Sequence, residues 1–210
     1  MKDIPAVILA GGQATRMGGG DKCLLDLGGA LILDVILKRL APQTASIALN
    51  ANGDPLRFRS FGLAVIPDTI SGFAGPLSGV LAAMDWAAET SHEHVVTVAG
   101  DTPFFPENLV SRLQEAARTE NTPIALAATK DPQRGVLRHP TFGLWPVGLR
   151  DDLRAALEEG LRKVVLWTDR HGAANTVFPA AGFDPFFNVN TTDDLEVARR
   201  IYRNERNEPT

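Results

Sequence analysis

Two cations and one carboxylate carry most of the chemistry legible in this chain. Arg16 and Lys22 bracket a loop with glycines at 11, 12, 18, 19 and 20, and Asp101 follows Gly100 much later. Glycines let backbone N–H groups turn toward an anion without Cβ interference, and flanking cations neutralise phosphate oxygens. The loop reads as a phosphate cradle. Asp101, with a glycine before it and Pro103 stiffening the exit, is the leading metal candidate. A carboxylate suits Mg²⁺, which takes only one or two protein ligands when phosphates and water supply the rest. Asp101 could instead cap the helix that follows.

Spacing excludes two commoner loops. A Walker loop needs Gly-Lys followed by Ser or Thr, whereas Lys22 stands between Asp21 and Cys23. The dinucleotide fingerprint also fails, because Gly18 and Gly20 lead to Cys23. Cys23 has no histidine near it in sequence to act as a base and reads as a structural thiol. No histidine pair has the spacing of a zinc site.

Further polar residues close apolar runs. Asn50 and Asp68 are each either a ligand contact or a turn residue. His139, just before Pro140, either meets a second substrate or sits half-buried on local partners. Asn188 and Asn190 lie two apart in an extended stretch and so share a face. One of them could complete a metal's coordination or hold an acceptor's phosphate. Thr191 and Asp194 make a capping box for a final helix.

These residues need a sheet that gathers them. Val7, Ile8 and Leu9 are consecutive and apolar, as in a parallel strand covered on both faces. Strands are expected at 45–50, 63–66, 94–99, 124–128, 139–145 and 174–179, with helices at 31–40, 106–118, 148–161 and 164–171. A helix beginning at Pro76, within the stretch 72–79 that carries Gly75 and Gly79, would turn its N-terminus toward a nucleotide. The last helix is expected to end near Tyr202, with a frayed tail from 204 to 210. Parallel strands joined by right-handed crossovers align their carboxyl ends, which would bring the glycine loop, Asn50, Asp68 and Asp101 to one rim.

Composition bounds the rest. A chain of 210 residues with scattered Gly and Pro fits one α/β domain, 1–210, and a net charge of −4 argues against a nucleic-acid partner. A single cysteine and no export signal point to the cytoplasm, with no membrane partner.

The motifs 9–12 with Arg16, Asp21-Lys22, Gly75-Pro-Leu-Ser-Gly79, Asp101-Thr-Pro103, His139-Pro140 and 187–191, taken in this order, resemble the molybdenum cofactor guanylyltransferases, the MobA family. One departure is Gly100, where the family usually has Cys before the metal Asp. The resemblance implies a Rossmann-like three-layer nucleotidyltransferase fold with a mostly parallel central sheet. Residues 1–105 would bind GTP and Mg²⁺, and 106–203 the acceptor. Leu9, Ala10, Gly11, Gly12, Lys22, Asn50, Asp68, Gly75, Gly79 and Asp101 would bind the nucleotide, Asp101 also the Mg²⁺, with Arg16, Lys22 and Asp101 catalytic. His139, Asn188 and Asn190 would face the acceptor, the molybdenum cofactor. The implied reaction joins GMP to the molybdopterin phosphate and releases pyrophosphate. A monomer is expected, with cofactor-delivery proteins and apo-molybdoenzymes as further partners. Gly12 leaves room for a purine, against the cytidylyl and sugar-phosphate transferases that share the first motif. The alternative of another class is a non-catalytic nucleotide- or cofactor-binding adaptor.

Overall fold

The computed structural model describes residues 4–11, 20–70, 75–180 and 182–207. Among these residues seven strands form one sheet: β1 (Ala6–Leu9), β2 (Ile47–Asn50), β3 (Ala64–Ile66), β4 (His94–Ala99), β5 (Ile124–Asp131), β6 (Gly135–Pro146) and β7 (Ala173–Phe178). Their order is β3-β2-β1-β4-β6-β5-β7. β6 runs antiparallel to β4 and β5, and every other pairing is parallel. The expectation of a mostly parallel α/β sheet is met.

Among the described residues six helices cover the sheet: α1 (Ile32–Leu40), α2 (Pro76–Glu89), α3 (Leu109–Glu120), α4 (Arg150–Glu158), α5 (Val164–His171) and α6 (Thr192–Asn207). The alternating directions of strand side chains explain the two layers. Ala6 and Ile8 join a core with α1, α3 and α6, while Val7 packs into a second core with α2, α4 and α5. The apolar run of β1 is therefore covered on both sides, and the strand is anchored between β2 and β4. Chain order reverses between β1 and β4, and in open α/β sheets ligands bind in the crevice at such a point.

Three departures from the sequence expectation have a clear physical cause. β6 begins at Gly135, before Pro140, because Asp131 accepts the N–H groups of Gln133 (2.8 Å) and Arg134 (2.7 Å) and closes a tight hairpin. Its register against β5 breaks where His139 faces Ala127 but Gly143 faces Leu126. Pro140 has no N–H for the ladder, so 140–142 bulge out. The single helix expected at 148–161 is a 3₁₀ turn at Val147–Leu149 followed by the shorter α4. Lastly, α6 does not fray at 204. It runs to Asn207, and Glu205 takes a 2.6 Å ion pair from Arg39 of α1, which fixes the last turn.

Candidate active site

The cavity at the carboxyl ends of β1, β2 and β4 measures about 1050 Å³. Leu9, Ala10 and Gly11 form its floor, with Asn50, Asp68, Gly75, Gly79, Lys22 and Asp101 around them. Every described residue assigned to the nucleotide thus lines one space. Arg16 and Gly12 lie outside the described residues.

Three elements bring the charged groups together. Lys22 opens a 3₁₀ turn at Lys22–Leu24, directly after the glycine loop. Its Nζ lies 3.1 Å from Asp101 Oδ2 and also donates to Asn190 Oδ1. Asp101 follows β4, and its backbone carbonyl accepts the Val189 N–H at 2.8 Å. That bond pins the extended stretch between Asn188 and Asn190 across the cavity mouth. Thr102 Oγ1 sits 2.8 Å from Asn188 Oδ1 and 3.3 Å from Asp101 Oδ1. Asp101 is consequently no helix cap, since α3 starts at Leu109 behind Asn108. Asn188 lines the cavity, whereas Asn190 reaches the group through Lys22. The capping box forms as expected, with Asp194 N–H donating to Thr191 Oγ1 (3.1 Å) and Thr191 N–H to Asp194 Oδ2 (2.8 Å).

Two glycines owe their identity to local geometry, Gly79 to packing and Gly75 to its backbone conformation. A Cβ on Gly79 would stand 2.6 Å from Asn50 Oδ1 and 2.9 Å from Leu9 Cδ2, so α2 can lie this close to the sheet only with glycine there. Gly75 has φ +150°, strained for a side-chain-bearing residue, and Pro76 after it occupies the first helical turn. The positive end of the α2 dipole thereby faces the cavity.

The opposite wall is built by amides. Asn50 Nδ2 donates to the Ile66 carbonyl (3.2 Å) and to Asp68 Oδ1 (3.0 Å). Asn52 donates to Asp68 Oδ2 (2.9 Å) and accepts the Asp68 N–H (2.9 Å). The carboxylate is held by two side chains while keeping lone pairs for a ligand. Asn52, Thr69, Ile70 and Thr141 also line the cavity and were missed from sequence. Asn52 had a signal, two residues beyond Asn50. Thr141 had none, because the bulge in β6 turns it inward and its carbonyl accepts from Thr97 at 2.9 Å.

His139 is not among the residues lining the cavity. It stacks on Phe186 with centroids 4.4 Å apart, and Nε2 lies 2.9 Å from Thr129 Oγ1. Burial lowers its pKa below the ordinary imidazole value. Cys23 lines the cavity yet is 2 % exposed, and burial pushes its thiol up to about 12, with Asp21 adding to the rise. At neutral pH it is a protonated packing group.

The donor set fits a hard divalent cation: Asp101 offers carboxylate oxygens and Asn188 an amide oxygen. No cluster of three His, Cys, Asp or Glu side chains suited to a metal exists among the described residues, so most ligands would have to come from substrate and water.

A model of the MobA-like NTP transferase domain matches residues 6–173. The chain belongs to that family. The molybdenum cofactor guanylyltransferase of Mesorhizobium japonicum is 51% identical over 205 residues, covering 95% of this chain and 96% of that protein. Solved structures of lower identity share the fold. A molybdopterin-guanine dinucleotide biosynthesis protein A from Archaeoglobus fulgidus superposes with a TM-score of 0.72 at 21% identity, covering 96% of this chain and 100% of the other. A 4-diphosphocytidyl-2C-methyl-D-erythritol synthase from Anaerococcus prevotii reaches 0.73 at 16%, with 96% of each chain covered. The family therefore makes the chain a nucleotidyltransferase. Among the described residues, no helix is long and apolar enough to cross a membrane.

Proposed function

We propose that the protein transfers GMP from GTP to the phosphate of molybdopterin in the molybdenum cofactor, releasing pyrophosphate. The observation that carries this reading is the meeting of Lys22 and Asp101, 3.1 Å apart, on a cavity floored by Leu9, Ala10 and Gly11. The 51% identity to a molybdenum cofactor guanylyltransferase supports the choice of base and acceptor.

In the proposed reaction an acceptor phosphate oxygen attacks the α-phosphorus in line, its bond forms as the bond to pyrophosphate breaks, and no protein nucleophile is needed. The protein's work is alignment and charge neutralisation. Lys22 contributes a cation to the triphosphate, and the α2 N-terminus adds its dipole. Asp68, steadied by Asn50 and Asn52, can accept N–H donors along a purine edge. Asp101, with Asn188 beside it, would hold Mg²⁺, and a cation there would neutralise charge developing on the leaving group. His139, Asn188 and Asn190 belong to the acceptor side, His139 by supporting Phe186 beneath the stretch that carries the two asparagines. The reducing cytoplasm suits the lone thiol of Cys23.

The test is incubation with molybdenum cofactor, Mg²⁺ and each NTP separately, followed by mass analysis of the product. A guanine dinucleotide formed from GTP is expected. Faster turnover of CTP would replace the reading with a cytidylyltransferase, and nucleotide binding with no product from any NTP would leave an adaptor.

A further inference from the structure

Arg57 stands in no motif of the chain, yet it joins the two walls of the cavity. Its Nε donates to Asp21 Oδ2 at 2.6 Å and one terminal nitrogen to Asp21 Oδ1 at 3.3 Å. The same nitrogen donates to the Asn52 carbonyl at 2.7 Å, and the other to the Asp54 carbonyl. The guanidinium lies 4.4 Å over the Phe58 ring. Both carbonyls can turn to one cation because Gly53 between them has φ +83°.

The two ends of this contact lead to different parts of a bound nucleotide. Asp21 immediately precedes Lys22, the cation paired with Asp101. Asn52 holds Asp68 through both its amide nitrogen and its amide oxygen. The geometry points to Arg57 as a positioning residue: a strut that fixes the distance between the phosphate-loop stem and the Asn52–Asp68 wall, so that one nucleoside triphosphate engages both at once. This rests on the nucleotide reading of the cavity given above. Arg57 touches no part of the nucleotide in this role and acts through Asp21 and Asn52. Its planar fork can serve a carboxylate and two carbonyls together, which a lysine ammonium at the same place cannot.

The strut is tested by GTP titration calorimetry, thermal melting and steady-state kinetics on the wild type, Arg57→Ala, Arg57→Lys, Lys22→Ala and the double variant Arg57→Ala with Lys22→Ala. Arg57→Ala is expected to weaken GTP about tenfold, and in the double variant to add less than about twofold to the loss from Lys22→Ala alone, as coupled positions do. KM for GTP should rise while KM for the acceptor stays, and Arg57→Lys should restore only part. Should Arg57→Ala fail to fold, the isosteric Asp21→Asn removes the charge and one of the two acceptor oxygens from the same tie and should weaken GTP in the same direction. Unchanged GTP affinity in a folded variant, or losses that add fully with those of Lys22→Ala, would overturn the strut. A wild type whose GTP affinity ignores Lys22→Ala would instead overturn the nucleotide reading itself.

Discussion

The ammonium of Lys22 and the carboxylate of Asp101, 79 residues apart in the chain, meet at 3.1 Å. Under the proposed function each group would be needed elsewhere when substrate arrives, Lys22 on the triphosphate and Asp101 on a divalent cation. A triphosphate would then compete for Lys22 and leave Asp101 free, which would couple nucleotide binding to metal binding.

Removing either partner should separate affinity from turnover. Lys22→Ala is expected to lose a charge-assisted contact of about 1.5–3 kcal/mol, which corresponds to a GTP Kd raised roughly 10- to 150-fold. Asp101→Asn should leave GTP binding in chelator within a few-fold but cut transfer by two orders of magnitude or more, roughly the several kcal/mol expected of metal-assisted charge stabilisation. Calorimetry paired with pyrophosphate release checks both, and full turnover by Asp101→Asn would remove its assigned role.

Gly79 joins stability to binding. In Gly79→Ala the new methyl meets Asn50 and Leu9 well inside van der Waals contact, so α2 must lift or Asn50 must turn. Overpacking of this kind costs about 1–3 kcal/mol. Denaturant unfolding should register that loss, and GTP affinity should fall with it because Asn50 bonds Asp68. Gly148→Ala, which would meet nothing within 4 Å, serves as the control. Equal stability of the two variants would contradict the packing account.

Stability should fall in acid in two stages. Burial holds the folded pKa of His139 below 6.5, so the unfolded chain binds the proton first, and the stabilisation present above pH 6.5 drains as pH falls toward the lowered folded value. Asp152 acts at lower pH. Its carboxylate accepts Trp167 Nε1 at 2.7 Å and contacts His171 at 2.8 Å, and the Trp167 bond chiefly lowers its pKa. That contribution is full above the ordinary carboxylate range and disappears as pH drops through the folded value. Urea midpoints measured from pH 8 to 3 should decline in both windows. His139→Gln should flatten the first alone, and an unchanged profile in that variant would dissociate it from His139.

Local patterns made the fold legible, and with it most of the residues that line the candidate cavity. The apolar run 7–9, the Pro76 start of α2 and the strand at 94–99 each depend on neighbouring residues, and their expected bounds agree closely with β1, α2 and β4. Polar residues ending those strands reached one rim because parallel order aligns carboxyl ends. Contacts that depend on distant partners were not legible. Arg57 is one exposed-looking cation among many until Asp21 and the Asn52–Asp54 carbonyls close on it. Thr141 enters the cavity only through the Pro140 bulge, and the last turn of α6 holds because Arg39 lies opposite.

β6 lies between β4 and β5 although it follows both in the chain. During synthesis, the Val-rich edge of β4 consequently stays bare until residues 135–146 have emerged, an unpaired edge of the kind that recruits other chains. The proposed function would divide the protein near residue 105 into a nucleotide half and an acceptor half, but the hydrogen bonding of the sheet crosses that boundary. A fragment cut at that boundary would carry the glycine loop, Lys22 and Asp101 and still lack the strand that seals them. On the proposed function, the nucleotide half would thus depend on the acceptor half for its closure, and both substrate sites would form in one folding event.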